Sequence, residues 1–342
     1  MAKLYLREMV FVTGATGLVG SYLLVELSRR GEKIRAMKRK HSSVESVKEL
    51  FQEFDMSDAF EQIEWMDADL LDVTIWPELL KEVKTIYHAA AAVSFDKKSK
   101  NQLHEVNVIG TKNLVNAAIA ENIPELVFFG SIATLDRGPN EAVIDEKSNW
   151  NPEIKHSPYA ISKRKAEMEV WRGSQEGLKV LVVYPSVIIG SLDGKRESER
   201  IFRWANKKKM WGTLGETGYI DVRDVAFCTA ELVKLGKWSE GFLLNAAHLS
   251  YLEVLQIVRR NWGLSPAKSL TNGQLKWIQK LSSIGQFLGM PHLSRANYEA
   301  LTGKTVYTTE KLEQYLPHTF YTIEEALAFH GERFQQMKQN NN

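Results

Sequence analysis

Residues 10–20 read VFVTGATGLVG, and the fold turns on how that stretch is read. Met9 to Val12 make a short apolar run of the kind that forms a parallel strand buried on both faces. Thr13-Gly14 ends it, and Gly14, Gly17 and Gly20 follow at three-residue spacing. The next residues, SYLLVELSRRG, repeat apolar side chains at helical intervals up to a stop at Gly31. Strand, glycine turn and helix predict the opening βαβ unit of a dinucleotide-binding sheet. Glycines let the backbone approach a pyrophosphate closely, and the helix N-terminus offers it free N–H groups and partial positive charge. A merely structural turn also needs glycine, so the triplet points to nucleotide only through the strand before it and the helix after it.

The chain has 342 residues, 44% apolar and 25% charged, a size that suits one large α/β domain with an appended lobe. A net charge of +2 gives no electrostatic case for nucleic acid. One cysteine, Cys228, leaves no intramolecular disulfide and no cysteine zinc cluster, and no metal site is expected. Cys228 lies in the helical pattern VAFCTAELV, which reads as a buried inert thiol rather than a nucleophile. No apolar run is long enough to span a bilayer, and no signal-peptide pattern is read at the start, so a cytoplasmic protein is expected.

Lys33 to Met37 read as the second strand, whose end governs coenzyme choice. An acid there would bond the adenosine ribose 2′-OH, and basic residues would accept a 2′-phosphate. The run is Lys38-Arg39-Lys40-His41, which favours NADP(H), with NAD(H) and a plain solvated basic turn as the alternatives. Residues 43–61 predict a helix, and 63–72 a third strand ending near Asp69-Leu70. Val83 to Ala91 predict a fourth strand ending in Ala89, Ala90 and Ala91. Small residues there either let a flat ligand lie on the backbone or pack beneath a helix. A helix begins near Asn107, and Leu126 to Thr134 predict a fifth strand running through Gly130-Ser131.

Ser157-Pro158 then opens a helix carrying Tyr159 and Lys163. Four residues apart, the two share one helical face. An ammonium beside a phenol favours the phenolate, and a tyrosine so tuned can act as a general acid or base near neutral pH. An exposed Tyr and Lys on a surface helix is the bland alternative. Val180 to Gly190 predict a sixth strand, with Pro185 near its end. Residues 191–218 are irregular and basic, and 219–247 return to a strand–helix pattern. Between 264 and about 307 an apolar stretch (Trp277, Ile278, Ile284, Phe287, Leu288, Met290) reads as core or as the wall of a substrate pocket.

The expected architecture is a Rossmann-type, doubly wound parallel α/β sheet formed by 1–190 with 219–247. A smaller, mainly helical C-terminal lobe of 191–218 and 248–335 would bind substrate, and 336–342 would be a frayed tail.

TGATGLVG, Ser131 and YAISK (159–163) occur in the order, and on the elements, of the extended short-chain dehydrogenase/reductases, also called the NAD-dependent epimerase/dehydratase superfamily, which this chain resembles. Asp69-Leu70, YHAAAAVSF (87–95), NVIGTKNLVNAA (107–118), YPSVIIG (184–190) and YIDVRDVA (219–226) fit as well. The VSF loop and NAAHLSYLEVLQIV resemble the dihydroflavonol reductase and 3β-hydroxysteroid dehydrogenase branch more than the nucleotide-sugar branch. The resemblance implies that the glycine turn (Gly14, Thr16, Gly17, Leu18, Val19, Gly20) cradles the pyrophosphate and that Arg39 and Lys38 face the 2′-phosphate. Asp69 and Leu70 would hold the adenine, Ala89 to Ala91 would line the coenzyme, and Tyr184, Pro185 and Val187 would border the nicotinamide. Tyr159 would be the proton donor, Lys163 its tuner and ribose ligand, Ser131 a donor to the substrate carbonyl, and Asn107 an anchor of the local geometry. Ser94, Phe95, Ala133 and Thr134 would face the substrate, and a homodimer is implied.

Two departures stand out: Gly130 where relatives often carry a second serine, and Tyr184-Pro185 where many carry Arg-Pro. A clamp for a nucleotide-sugar pyrophosphate is not obvious, although Arg196, Arg200, Arg203 and Arg223 could supply one. The activity expected is NADP-dependent hydride transfer between nicotinamide and a ketone, aldehyde or secondary alcohol of a fairly apolar small molecule. The rivals are a nucleotide-sugar epimerase or dehydratase, an acyl-thioester reductase (for which the chain reads short), and a non-catalytic nucleotide-binding protein.

Overall fold

The structure is a computed structural model that describes residues 8–94, 97–138, 143–208, 210–285 and 295–340. In chain order its strands are β1 Met9–Thr13, β2 Lys33–Lys38, β3 Glu64–Asp67, β4 Val83–His88, β5 Glu125–Phe129 and β6 Lys179–Pro185. They continue with β7 Val187–Ile189, β8 Trp211–Thr213, β9 Glu216–Asp221, β10 Glu240–Leu244, β11 Ala247–Ser250 and β12 Lys268–Leu270. Seven of these form one parallel sheet in the order β10-β6-β5-β4-β1-β2-β3. The chain therefore winds one way from β1 to β3 and the other way from β4 onward. The reversal between β1 and β4 opens a crevice beyond their carboxyl ends, the place where such sheets bind nucleotides.

Side-chain alternation explains why the strand sequences are apolar almost throughout. Val10, Val12, Val127, Phe129, Leu181 and Val183 enter one core with Leu23, Leu24 and Leu27 of the helix Leu18–Arg29. Phe11, Leu126, Phe128, Val180, Val182 and Tyr184 enter the opposite core with Leu114 and Val115 of the helix Gly110–Ala120, and with Ala166 and Val170 of the helix Pro158–Gln175. With both faces covered, neither half of the alternation can be polar. The expectation of a Rossmann-type doubly wound sheet holds.

Several boundaries differ from the sequence reading, each for a local reason. The third strand stops at Asp67 instead of running to Asp72. Asp69 and Asp72 use their side chains to accept the N–H groups of Leu71 and Thr74, both at 2.9 Å, which turns the chain. The helix read over 43–61 is two, Glu45–Glu53 and Ser57–Glu61, parted at Asp55 with φ of +57°. The fifth strand ends at Phe129, because Ser131 caps a short 3₁₀ turn over Ile132–Thr134. The sixth ends at Pro185, and Val187–Ile189 pairs elsewhere, with β9. The helix near Asn107 opens with a wider π-type turn, His104–Ile109.

Strand β9 joins β7 and β11 in a second, three-stranded sheet, while the following helix, Val222–Lys234, lies against Leu18–Arg29 and β10 completes the main sheet. A third core, with Phe202, Tyr219, Leu255, Val258, Leu327 and Phe334, belongs to the C-terminal part of the chain. The closing helix runs from Ile323 to Asn340, past the point where a frayed tail was expected, and Met337 packs on that core. Trp277 and Ile278 are exposed on the helix Asn272–Gly285, whereas Phe287, Leu288 and Met290 lie outside the described residues. Among the described residues no helix is long and apolar enough to cross a membrane.

Candidate active site

The glycine turn is shaped by close backbone contact. Gly14 sits at φ of +67°, and a Cβ there would come within 2.5 Å of the Ala90 nitrogen. At Gly20 a Cβ would meet the Gly14 carbonyl oxygen at 2.2 Å, so the helix can start this close to β1 only with glycine. Gly17 is the N-cap and has no capping side chain, which leaves the N–H groups of the first turn, including Leu18 and Val19, to an external acceptor. Arg196 donates to the Thr16 carbonyl at 2.8 Å, tying the later part of the chain to this turn. A bare helix end beside the switch-point crevice fits a dinucleotide pyrophosphate.

Beneath the crevice runs a buried polar network that the sequence reading found only in part. His88 Nδ1 lies 2.7 Å from Thr13 Oγ1, and Nε2 lies 2.9 Å from Thr111 Oγ1. Thr111 donates to the Asn107 carbonyl at 2.6 Å. The Asn107 amide bridges the Ala92 backbone, accepting its N–H at 2.7 Å and donating to its carbonyl at 3.0 Å. It also donates to Ser162 Oγ at 2.9 Å, and Ser162 donates to the Tyr159 carbonyl at 2.8 Å. Burial, with the Lys163 charge adding to it, lowers His88 to about 3, so this imidazole is neutral. Asn107 thus fixes the geometry between the alanine loop and the tyrosine helix. His88, Thr13, Thr111 and Ser162 were missed. The one available cue was a histidine ending an apolar strand in YHAAAA.

The helix Pro158–Gln175 starts as its sequence predicts, with Pro158 in the first turn and Ser157 Oγ accepting the Ala160 N–H at 3.1 Å. Tyr159 and Ser131 hydrogen-bond through their side chains. Ser131 Oγ also accepts the Ala133 N–H at 3.2 Å. Burial pushes the Tyr159 phenol above its ordinary value, and the Ser131 hydrogen bond opposes that rise. The ammonium of Lys163 donates to the Phe129 carbonyl at 2.6 Å and lies 4.3 Å from the centre of the Phe128 ring. Burial lowers Lys163 to about 8 against the opposing charge of Glu167. Of these two influences on Tyr159, desolvation outweighs the Ser131 hydrogen bond.

Other expected site residues are placed as follows. Ala89 and Ala90 are half-buried beside the glycine turn, and Ala91 is exposed. Lys38 is tied to Asp67, while Arg39 and Lys40 are exposed at the end of β2. Asp69 is exposed, and Leu70 is buried against Gly110. Ser94 donates to Ser99 at 2.9 Å, Thr134 is buried with its hydroxyl on the Ser131 carbonyl, and Phe95 lies outside the described residues. Pro185 is buried opposite Leu244, and Val187 is exposed.

The Tyr184 ring does not turn toward the crevice. Alternation along β6 sends it to the face covered by Pro158–Gln175, where its hydroxyl donates to Glu167 at 2.9 Å. The ring also accounts for one sequence departure: a Cβ at Gly130 would meet it at 3.1 Å, as one at Gly241 would at 2.7 Å. Gly130 thus leaves room for Tyr184. The four candidate clamp arginines are engaged as well. Besides Thr16, Arg196 meets Asp193 at 2.8 Å, Arg200 meets Glu197 at 2.9 Å, Arg203 donates to the Gly194 and Arg196 carbonyls, and Arg223 meets Asp221 at 2.6 Å.

Sheet order and glycine turn together define a nucleotide-binding protein of the extended short-chain dehydrogenase/reductase class. The chain belongs to the NAD dependent epimerase/dehydratase family, whose profile matches residues 10–236. It is 29% identical over 223 residues to a putative dihydroflavonol 4-reductase of Synechocystis sp., a match covering 65% of this chain and 62% of that protein. Cinnamoyl-CoA reductase 1 of Petunia hybrida is 28% identical over 265 residues, covering 74% of this chain and 77% of that protein. Among solved structures, that of gox2253 superposes with a TM-score of 0.82 at 25% identity, over 96% of this chain and 98% of that one. The two reductase matches support the resemblance to the dihydroflavonol reductase branch.

Proposed function

We propose that the chain is an NADP(H)-dependent oxidoreductase that reduces the carbonyl of a fairly apolar small molecule, or oxidises the corresponding secondary alcohol. The observation that carries this reading is the Ser131–Tyr159 hydroxyl pair, with Lys163 one turn behind it on the same buried helix. NADP(H), when bound, supplies the hydride. Ser131 donates a hydrogen bond to the substrate oxygen as negative charge grows there, and Tyr159 delivers its proton to the same atom. Lys163 stabilises the tyrosinate left behind. Asn107 and the network beneath it keep the tyrosine helix in register with the alanine loop. Basic Arg39 and Lys40, exposed where β2 ends with no acid in 38–41, support the phosphorylated coenzyme, and Lys38 pairs with Asp67 at the end of β3.

An acyl-CoA thioester is the second substrate class, favoured by the 28% identity with cinnamoyl-CoA reductase 1 over 77% of that protein. A nucleotide-sugar epimerase would need a pyrophosphate clamp, and the arginines able to supply one are held by their own carboxylates and carbonyls. The test is NADPH oxidation against a panel of steroid, flavonoid, aliphatic, acyl-CoA and sugar-nucleotide substrates, with wild type and Tyr159→Phe. Turnover of the variant should fall by about 10²–10⁴-fold with NADPH affinity kept. Unchanged turnover would remove Tyr159 as proton donor, and substrate isomerised without net NADPH loss would favour the epimerase.

A further inference from the structure

Glu167 is a buried carboxylate on the tyrosine helix, four residues beyond Lys163 and on the same face. It is 1% exposed. Its Oε1 accepts from the Tyr184 hydroxyl at 2.9 Å, from Arg164 at 3.0 Å and from the Trp171 indole at 3.3 Å. Its Oε2 is buried with no hydrogen-bond partner among the described residues. Among the described residues the cation paired with it is Arg164, whose side chain is 31% exposed, where water screens its charge. Tyr184 supplies a hydrogen bond and no charge.

Lys163 is the complementary case. It is 3% exposed, and its contacts are a carbonyl and an aromatic ring of β5, with no carboxylate among them. The titratable groups that act on it are Glu167 on its own helix and neutral His88 from β4, with Tyr159 one turn before it on the same helix. A buried carboxylate and a buried ammonium one turn apart, each with incomplete charge compensation, stabilise each other across a poorly screened interior.

We propose that Glu167 is a positioning residue for charge: it keeps Lys163 an ammonium, and Tyr184 holds it in place without neutralising it. The proposal rests on the reading of Lys163 given above as the partner of Tyr159. The ammonium's own balance agrees: burial pulls Lys163 down to about 8, and Glu167 is the group that resists. Without that carboxylate the ammonium would give up its proton at lower pH, within the range where a reductase works.

The test is a titration of the ligand-free protein labelled with [ε-¹³C]lysine, in which the Lys163 resonance is identified by its loss in Lys163→Met. In Glu167→Gln, which keeps the shape and removes the charge, the Lys163 midpoint should move to lower pH by on the order of one unit. In Tyr184→Phe, which keeps the charge and removes one donor, it should not move to lower pH. If Glu167→Gln does not fold, Glu167→Asp serves, with the midpoint expected to stay near that of wild type. An unmoved midpoint in Glu167→Gln, a fall in Glu167→Asp, or equal falls in Glu167→Gln and Tyr184→Phe would overturn the proposal. Because this readout needs neither coenzyme nor substrate, it is separable from the catalytic reading, which fails instead if Lys163→Met retains NADPH-dependent turnover.

Discussion

Two fully buried histidines hold this molecule together in different chemical company. His88, under the coenzyme crevice, is bracketed by the hydroxyls of Thr13 and Thr111 and has a lysine for its nearest charge. His330, on the closing helix, lies 3.3 Å from Ser191 Oγ, 3.5 Å from Tyr22 Oη and 3.3 Å from Asp221 Oδ1. The second set has the composition of a serine–histidine–aspartate nucleophile, but Ser191, His330 and Asp221 are all at 0% exposure, so no substrate can reach the hydroxyl. It is a brace, fastening the closing helix to β9 and to the helix Leu18–Arg29. Burial opposes the charged form of both imidazoles; Asp221 resists that effect at His330, and Lys163 reinforces it at His88. Residue type and burial are shared, and the neighbours decide what each network does.

The largest effect that follows is acid lability originating at His88. Its folded-state value of about 3 lies below the ordinary histidine value near 6.5, so the unfolded chain binds a proton that the folded chain refuses. The stabilisation is complete above about pH 6.5 and is lost as pH falls toward 3, at roughly 1 kcal/mol per pH unit. Urea melts at neutral pH and near pH 4 should differ by several kcal/mol in wild type, and the difference should shrink in His88→Gln. If His330→Gln flattens the profile and His88→Gln does not, the ranking of the two networks is reversed.

Next in size is the brace itself. Burial pushes Asp221 up, but hydrogen bonds from His330 and Arg223 outweigh it and hold the carboxyl at about 2. His330→Ala removes one of those partners and opens a cavity beside Tyr22, with an expected loss of about 3 kcal/mol. Thermal unfolding should show it, while NADPH affinity stays near wild type, since the bonds His330 makes are to Tyr22, Ser191 and Asp221. A large drop in coenzyme affinity with an unchanged melting temperature would mean that the brace serves the crevice after all.

The contrast also marks what could be read in the sequence. VFVTGATGLVG carried the crevice because glycine at Gly14 and Gly20 is a steric requirement imposed by residues close in sequence or one strand away. Tyr159 and Lys163 were legible because their relation is a helical spacing. Tyr184 was half legible: alternation with Val180 and Val182 assigns its face, but nothing local shows that Glu167 and Trp171 wait there. Asp221 and His330 are separated by 109 residues and Thr13 and His88 by 75, and no periodicity links such partners. The short strand β3 is overread because Asp69 and Asp72 turn the chain by side-chain hydrogen bonds just beyond it, which the apolar Leu70 and Leu71 between them do not reveal.

Arg39 extends the comparison to a charged group that is not buried at all, and its effect should be the smallest. It is exposed at the end of β2, where salt and water screen whatever it binds. If it meets the adenosine 2′-phosphate, Arg39→Ala should weaken NADPH binding by about tenfold and leave NADH binding unchanged. Lys40 remains nearby and should preserve part of the preference, whereas Lys38 is held by Asp67 and contributes less. Fluorescence titration of both coenzymes on wild type and variant, at two salt concentrations, reads the effect directly. Raising the salt should narrow the NADPH difference, because the charge is exposed. A wild type that prefers NADH, or a difference that ignores salt, would place the discriminating contact in the buried crevice.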